Sequence, residues 1–453
     1  MNIIIVGCGK IGTALAEQLS REEHNITVID TNGERLRNVV DSLDIMGVHG
    51  NAATFPVLEE AGAREADLLI AVTASDELNI LACLIAKKAG VGSTVARARN
   101  PQYIDVLPFI KGDIGLSMSI NPEKACAMEI LRVLRFPSVI SVDTFVGGRV
   151  EILEFQVPEG CPIDGVMLKD LFSFSQQILV CAVRKKDTDA DVIIPGGLYT
   201  IKAGDRLSVA GDNVSVSRFF KSIDIKTDKI KSVFIVGGGL IAFYLAQELL
   251  KLGISVKIIE RDRKRCELLT DELPKAEIIC GDANDQRLLQ DEGITKYGAF
   301  VSLTNVDEEN AMLSLYAGSI SSCKVVTKLS GNHFNSVMNK LELGSVFSPS
   351  NVASEEIVRF VRAMHNSYGS NVETLYRIVD EKAEALEFFV KDDCSIANIP
   401  LMEMELIDNL LIAVINRKGK IIIPHGNDVI KPRDTVIIIT TVQGLTELED
   451  IVK

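Results

Sequence analysis

The chain has 453 residues, more than one ordinary domain holds, which suggests roughly three or four domains. Hydrophobic residues make up 47% and charged residues 24%, proportions that indicate a folded globular protein and not a disordered one. Its 48 basic and 62 acidic side chains give a formal net charge of −14, and without a basic stripe this charge argues against nucleic acid or bare lipid as a partner.

The sequence does not have the pattern of a secretory or membrane-spanning segment. Met1 is followed directly by the apolar run Ile3–Val6, without a basic segment before it. The longest apolar stretch, Val233–Ala246, contains three glycines and is shorter than the ~20 residues of a spanning helix. The nine cysteines are scattered, with no Cys-x-x-Cys spacing, which fits a reducing cytosol and indicates no metal site. We therefore expect a soluble cytoplasmic chain that reaches a membrane only through another protein.

The first part of the chain alternates short β-branched runs with amphipathic stretches, the pattern of βαβ units on a parallel sheet. The predicted strands, with helices between them, are Asn2–Gly7, Asn25–Asp30, Ile45–His49, Leu68–Val72 and Thr94–Ala98. This pattern predicts an α/β fold with a doubly wound, Rossmann-like sheet, which we assign to residues 1–137.

A glycine motif follows the first predicted strand and opens the next helix. It is the G-x-G-x-x-G formed by Gly7, Cys8, Gly9, Lys10, Ile11 and Gly12. The first glycine permits a tight turn, the second lets backbone N–H groups approach a pyrophosphate, and the third allows close helix–strand packing. Asp30, at the tip of the next strand, would accept hydrogen bonds from both hydroxyls of an unphosphorylated ribose. The motif predicts a nucleotide site; the alternative is a glycine-rich turn that serves packing alone.

Residues after the later strands should reach the same edge of the sheet. Arg97 and Arg99 are two positions apart, so on one strand they would project from one face and could clamp phosphates. The alternative for both is an ion pair with nearby carboxylates. Asn51, Ala52 and Thr73 would face the base or ribose or, alternatively, only cap helices.

After the sheet, a helix is predicted over Glu123–Arg135, with apolar residues on more than one side and Pro137 as its stop. We interpret this helix and its counterpart Ser354–Met364 as levers between domains or subunits. The alternative is an ordinary crossover helix buried on its own sheet.

The segment 138–222 has short strands and turn signals, which indicate a small α+β domain. The predicted strands are Val150–Phe155, Ile178–Arg184, Ile193–Pro195 and Ser208–Ala210.

The second half of the chain repeats the first. Gly7 matches Gly237 at an offset of 230, and Asn79 matches Asn310 at an offset of 231. The repeat predicts a second Rossmann-like domain at 230–366 and a second small α+β domain at 370–453. Its candidate binding residues are Gly237, Gly239, Leu240, Ile241, Glu260, Asp282, Thr304 and Lys328.

The two copies differ at positions that bear on ligand choice. Lys328 stands where the first copy has Arg97, and Ser330 where it has Arg99, so we expect a weaker phosphate grip or a different nucleotide there. Asp282 replaces Asn51, so base and ribose preferences need not agree. Four basic residues after Glu260 could meet a 2′-phosphate, the alternative being a solvated helix start; they are Arg261, Arg263, Lys264 and Arg265.

Cys8 lies inside the glycine loop near a helix N-terminus, where its pKa could be lowered and the thiol could act as a redox sensor. The alternative is a small residue tolerated in a tight loop. The five histidines (24, 49, 333, 365 and 425) show no metal spacing, and none pairs with a carboxylate as a general base.

These motifs resemble the TrkA family, the peripheral subunits of bacterial and archaeal Trk potassium uptake, which contain tandem RCK domains of KTN and TrkA-C modules. The resemblance covers essentially the whole chain, and its motifs are Ile3–Gly12, Val28–Asp30, Val48–Ala52, Asp76–Asn79 and Arg97–Arg99. It implies NAD(H), ATP or ADP as ligands and a homo-oligomeric ring, expected to be a tetramer, beneath a membrane potassium transporter. It further implies that nucleotide controls gating and that the protein is peripheral on the inner face of the membrane.

An NAD-dependent oxidoreductase with duplicated Rossmann domains is the alternative function. Such an enzyme needs a proton donor beside the nicotinamide, and the small domains offer none with a visible orienting partner. A stand-alone cytosolic ligand sensor is a third possibility. We expect no catalytic residue and no metal.

Overall fold

The computed structural model describes residues 1–22, 24–112, 114–135, 139–145, 149–173, 177–185, 192–224, 230–331, 341, 343–366, 372–378, 382–442, 444–445 and 447–453. They form two compact units, Met1–Leu131 with Lys231–Phe360, and Arg132–Ile230 with Val361–Lys453. Pro137, the predicted helix stop, and the boundary positions 138 and 370 lie outside the described residues, so the domain boundaries stay predictions. Among the described helices, none has both the length and the apolarity to cross a membrane.

The first sheet is parallel, with the strand order β3-β2-β1-β4-β5-β6. Its strands are β1 (Asn2–Val6), β2 (Asn25–Asp30), β3 (Met46–His49), β4 (Leu68–Ala71), β5 (Ser93–Arg97) and β6 (Met118–Ile120). Every residue of β4 is buried, as expected of a strand covered by helices on both faces. The strand order reverses between β1 and β4, and at such a point a crevice opens at the carboxyl ends of the strands.

Helices flank this sheet, and short polar side chains begin several of them. They are α1 (Lys10–Arg21), α2 (Gly33–Leu43), α3 (Phe55–Glu60), α4 (Asp76–Ala89), α5 (Pro101–Ile110) and α6 (Pro122–Arg135). Asn32 accepts hydrogen bonds from two backbone amides of α2, and Ser75 accepts one from α4. These caps fix where α2 and α4 start, directly after the ends of β2 and β4.

The first small sheet is antiparallel, with the order β10-β9-β11-β8-β7. Its elements are β7 (Val139–Phe145), β8 (Val150–Gln156), β9 (Ile178–Arg184), β10 (Val192–Ile193), β11 (Arg206–Gly211) and α7 (Asn213–Ser222), with a 3-10 helix at Leu168–Ser173. The ring of Phe155 on β8 packs edge-on against Phe220 of α7, with centroids 5.0 Å apart. This aromatic contact attaches the helix to the sheet.

The second parallel sheet repeats the first, with the order β14-β13-β12-β15-β16-β17. Its strands are β12 (Ser232–Val236), β13 (Ser255–Glu260), β14 (Glu277–Cys280), β15 (Ala299–Ser302), β16 (Lys324–Lys328) and β17 (Ser345–Phe347). Its helices are α8 (Leu240–Lys251), α9 (Arg263–Glu272), α10 (Gln286–Asp291), α11 (Asp307–Ile320) and α12 (Pro349–Asn366), with a 3-10 helix at Ile294–Lys296. The predicted duplication is therefore present in the strand order.

The second small sheet has the order β18-β19-β22-β20-β21. Its strands are β18 (Val372–Ile378), β19 (Ala383–Phe389), β20 (Leu410–Arg417), β21 (Lys420–Ile422) and β22 (Thr435–Thr440), with 3-10 helices at Leu401–Glu403 and Leu448–Ile451. One apolar cluster, which includes Ile152 and Ala385, contains buried residues of both small sheets. The two small domains therefore share a core.

The predicted fold class, two Rossmann-like sheets each followed by a small α+β domain, is confirmed. Strand ends differ by one or two residues for local reasons. The first strand ends at Val6, one residue early, because Gly7 has φ +104°, which takes the chain out of the extended region. The predicted strands of the first repeat did not include β6, whose three residues carry too little periodicity, or the seven-residue β7.

Candidate functional site

The glycine loop joins β1 to α1, and its three glycines have different surroundings. A Cβ on Gly7 would lie 3.2 Å from the Thr73 backbone, and one on Gly12 would lie 1.8 Å from Gly7 O. A Cβ on Gly9 would meet nothing within 4 Å. Gly7 and Gly12 are thus required by the fold, whereas Gly9 leaves space at the start of α1. No side chain caps this helix, so its first N–H groups face that space.

Asp30 holds the loop from the end of β2. Its Oδ2 accepts the Cys8 amide at 2.6 Å and its Oδ1 accepts the Asn32 amide at 2.7 Å. Each carboxylate oxygen can accept more than one hydrogen bond, so the contacts with the backbone leave acceptor capacity for a ligand hydroxyl. Asp30 therefore supports the loop as well as lining the space above it.

Cys8 contributes its backbone and not its thiol. The side chain is buried and does not line the cavity described below. Burial, with a further contribution from Asp30, raises the pKa of Cys8 to about 12. The pKa of Cys8 is therefore raised and not lowered, because desolvation and a neighbouring carboxylate outweigh the helix N-terminus, and the buried side chain agrees with the alternative of a small residue tolerated in a tight loop.

A cavity of about 790 Å³ opens above the loop. Nine predicted residues of the first repeat line it: Gly7, Gly9, Lys10, Ile11, Asp30, Asn51, Ala52, Thr73 and Arg97. Four predicted residues of the second repeat line the same cavity: Gly239, Leu240, Ile241 and Lys328. The repeat predicted these four residues in a separate second site. Gly239 lines the second cavity as well, whereas Leu240, Ile241 and Lys328 line the first cavity and not the second, which corrects their assignment. This first cavity is built by both repeats.

Arg97 and Arg99 do not act as a pair. Arg97 lines the first cavity, with Nη2 3.8 Å from Glu123 Oε1 and a buried Nε that has no hydrogen-bond partner among the described residues. Burial lowers the pKa of Arg97, and Glu123 opposes this effect. Arg99 lies outside the lining, because its Nη2 donates to Ala74 O at 2.6 Å and its Nε lies 3.9 Å from Asp76 Oδ1. The strand ends at Arg97, so the expected shared face does not reach Arg99.

A buried amide, which sequence reasoning left out of the site, fixes the loop after β4. Asn79 Oδ1 accepts from the Thr73 amide at 2.9 Å, and Asn79 Nδ2 donates to Arg97 O at 3.0 Å. Asn310 makes the equivalent bonds to the Thr304 amide and to Lys328 O. The recurrence of asparagine at an offset of 231 was the available signal for this role.

A second cavity, of about 250 Å³, lies at the glycine loop of the second repeat. The predicted residues that line it are Gly237, Gly239, Glu260, Asp282 and Thr304. Glu260 makes the same kind of contacts as Asp30: its Oε2 accepts a hydrogen bond from the Gly238 amide at 2.6 Å, and its Oε1 accepts one from the Asp262 amide at 2.8 Å. The second loop is thus built in the same way around a smaller space.

The basic residues after Glu260 divide between two roles. Arg265 folds onto the glycine loop, where its Nε donates to Gly238 O at 2.6 Å. Arg263 is 87% exposed and pairs with Glu267 on its own helix, which agrees with the alternative of a solvated helix start and not with contact to a 2′-phosphate. Within the described ranges, no group of three or more His, Cys, Asp and Glu side chains is arranged to hold a metal ion.

Comparisons with known proteins agree with this architecture. The TrkA-N domain model matches residues 3–122 and 233–349, and the TrkA-C domain model matches residues 152–224 and 385–453. The chain belongs to the TrkA family. The Trk system potassium uptake protein TrkA homolog of Archaeoglobus fulgidus is 31% identical over 452 residues, which cover 100% of both chains. TrkA of Vibrio alginolyticus is 31% identical over 443 residues, 96% of this chain and 95% of that protein.

Solved structures share the fold of this TrkA-family chain. The GsuK RCK domain aligns with a TM-score of 0.63 at 17% identity, covering 98% of this chain and 92% of that one. The GsuK channel bound to NAD gives the same score and identity, covering 98% of this chain and 77% of that one. At this identity the likeness shows the tandem Rossmann and small-domain fold alone.

Proposed function

We propose that this chain is a cytosolic regulatory subunit of a membrane potassium-uptake system, that it binds NAD(H), ATP or ADP in the first cavity, and that it catalyses no reaction. The observation that carries the proposal is the convergence of the glycine loop, Asp30 and Arg97 on one cavity of about 790 Å³. Pockets for small ligands commonly have volumes of ~300–1,000 Å³. The second cavity, at about 250 Å³, is below that range.

The charges of the two cavities favour a phosphorylated ligand in the first. Its charged lining residues are four basic and two acidic: Lys10, Arg35, Arg97, Lys328, Asp30 and Glu123. Those of the second are two basic and four acidic: Arg261, Arg265, Glu260, Asp262, Asp282 and Glu309. In a chain of net charge −14, a cavity with excess positive charge is a local exception that suits a di- or triphosphate.

Backbone dipoles act in the same direction. The first residues of four helices line the first cavity: Lys10 of α1, Pro122 of α6, Leu240 of α8 and Pro349 of α12. Each helix has at least 12 residues, and the dipole of each favours an anion at its N-terminus. The helices α1 and α8, which have no side-chain cap, also offer free N–H groups there, whereas α6 and α12 begin with proline. Two of the four belong to each repeat, so an anion held between them would contact both.

A ligand shared by two domains can regulate a partner. Such a ligand shifts the equilibrium toward the arrangement of the repeats that it binds more tightly. The free energy of this shift cannot exceed the difference between its binding free energies for the two arrangements. We infer that this shift in α6 and α12, the helices that continue from the cavity, reaches the small domains and the transporter. The alternative for these helices, ordinary crossover packing, would leave potassium flux independent of nucleotide.

The membrane partner is inferred from the relatives. The curated proteins that match over nearly the whole chain are named as Trk potassium uptake proteins, and the structures that share its fold include the GsuK channel bound to NAD and GsuK bound to ADP. We infer a homo-oligomeric ring, with a tetramer as the expected form, attached to the cytoplasmic face of the transporter.

The test separates binding from control. NAD, NADH, ATP and ADP are titrated one at a time against the full chain, with thermal stability as the readout, and then against potassium flux in vesicles that contain the transporter. Asp30→Ala should abolish the stabilisation and the flux response together, whereas the matched Glu260→Ala should keep both. If Asp30→Ala loses binding but flux still responds to nucleotide, the assigned cavity is not the regulatory one.

A further inference from the structure

Two cysteines lie side by side next to the second cavity. Cys266 is in α9, where its buried Sγ donates to Glu260 O at 3.3 Å. Cys280 is the last residue of β14 and the direct ladder partner of the same Glu260. Both cysteines therefore meet at Glu260, one through its carbonyl oxygen and the other through the strand ladder. The structure therefore brings together two sulfur atoms that are 14 positions apart in the sequence.

The two thiols differ in access to solvent. The structure describes all nine cysteines, and among them Cys280 is the exposed one, while Cys266 is buried. Burial, followed by the neighbouring Cys280 thiol, raises the pKa of Cys266 to about 12. A reagent from solution would therefore meet Cys280 first, with Cys266 behind it as the resolving thiol.

The first repeat shows that the fold does not need this pair. Leu36 lies six residues after Asp30, as Cys266 does after Glu260, and His49 is the ladder partner of Asp30 as Cys280 is of Glu260. A leucine and a histidine thus build the same β-α-β unit. The dithiol belongs to the second repeat alone, which argues against a purely architectural reason for it.

We propose that Cys266 and Cys280 are a reversible dithiol–disulfide pair that responds to small-molecule disulfides. The Cys280 thiolate attacks one sulfur of a disulfide RSSR, which forms a mixed disulfide and releases RS⁻. Cys266 Sγ then attacks Cys280 Sγ while its proton passes to the departing sulfur, which forms the intramolecular S–S bond and releases the second RSH. The two cysteines lose two electrons and two protons, and RSSR gains them as two RSH.

The new bond would connect two elements of the second cavity. Arg265 and Gly281, each next in sequence to one of the cysteines, both line that cavity. The bond would hold the start of α9 against the end of β14 and so restrict the space between them. In a reducing compartment such a bond forms transiently and acts as a sensor, whereas a structural disulfide would not persist.

The experiment reads covalent mass and does not depend on nucleotide binding. The full chain is incubated with 2-hydroxyethyl disulfide, quenched by alkylation, digested and mapped by mass spectrometry. The expected product is a peptide pair linked through Cys266 and Cys280, which dithiothreitol separates. Cys323, a half-buried cysteine of the same domain, should remain alkylated and unlinked.

Two variants separate the steps. Cys280→Ser should abolish linkage and keep the wild-type melting curve, because the side chain is exposed. Cys266→Ala should leave Cys280 as a stable mixed disulfide with the reagent, since no resolving thiol remains. A wild-type chain in which Cys280 stays free, accumulates only the mixed disulfide, or links to a different cysteine would overturn the proposal.

Discussion

Lys328 belongs to the second repeat, yet it lines the first cavity, and this placement predicts what its removal does. Lys328→Ala should weaken nucleotide binding in the first cavity, although Asp30 and the glycine loop are unchanged. Lys328 is only 7% exposed, and its Nζ has Asn305 Oδ1 as a neighbour at 3.5 Å, a long contact for an ammonium. A phosphate oxygen would give this buried charge a much better partner.

The magnitude follows from the burial of that charge. A hydrogen bond to a charged group contributes ~1.5–3 kcal/mol, and ~1.4 kcal/mol is a factor of ten in Kd, so the substitution should raise Kd about 10- to 100-fold. Burial lowers the pKa of Lys328, and Asp307 opposes this effect in part. A phosphate favours the protonated ammonium, so binding should take up protons, and affinity should fall as pH rises through that pKa.

Isothermal titration calorimetry of the full chain with ATP or NAD measures Kd, and a comparison of buffers of different ionisation enthalpy gives the proton uptake. The same titrations in a Glu260→Ala background, which alters the second cavity, assign the change to the first cavity. Lys251→Ala is the matched control, because it removes the same charge from the same repeat at a side chain that is 62% exposed and lies at the opposite end of α8 from the cavity residues Leu240 and Ile241. Unchanged Kd and proton uptake in Lys328→Ala would refute the idea that the ligand contacts the second repeat.

Three further predictions test the site and its support. The Gly9→Ala variant should fold normally but bind nucleotide about tenfold or more weakly, because the new Cβ enters the cavity. The Gly12→Ala variant should instead show a free energy of unfolding lower by about 1–3 kcal/mol in urea melts, because its Cβ would collide with Gly7 O. Asn79→Ala should cost about 1–3 kcal/mol, because it removes the buried side chain that pairs with the Thr73 amide and the Arg97 carbonyl; an unchanged melt would contradict its bracing role. Burial lowers the pKa of Lys324 from 10.5 to about 8, so its charge costs stability below pH 8, and this cost fades between about pH 8 and 10.5. Lys324→Met should therefore stabilise by about 1–3 kcal/mol at pH 7, but not at pH 10.5.

The parts of the site that sequence reasoning predicted follow from local backbone rules. Gly7 needs its glycine because φ is +104°, and Gly12 because a Cβ would collide with Gly7 O, so the spacing alone indicates the turn. Asp30 ends a strand that pairs with β1, which places its carboxylate under the loop. Such features depend on a few consecutive residues and one strand pairing, and these leave a readable pattern.

Other parts depend on tertiary contacts that no local pattern encodes. Arg99 was expected beside Arg97 by strand alternation, but β5 ends at Arg97, and the Ala74 carbonyl then accepts from the Arg99 guanidinium. Cys8 was considered from the helix N-terminus alone, whereas burial decides its pKa. The packing of the two Rossmann-like domains, which brings Lys328 to the first cavity, was likewise not predictable from either repeat by itself.

The sequence differences between the two repeats have a physical explanation, because residues of both repeats line the first cavity. Considered as a separate site, the second copy has Lys328 where the first copy has Arg97. In the structure, that Lys328 adds a positive charge to the first cavity, while the second cavity keeps Asp282 and Glu260. Duplication thus produced one cationic cavity with contributions from both copies and one acidic cavity of about a third of its volume. A phosphorylated ligand that contacts basic residues of both repeats would have an affinity that depends on how the two Rossmann-like domains are arranged. A difference in affinity between two arrangements is the physical requirement for a switch.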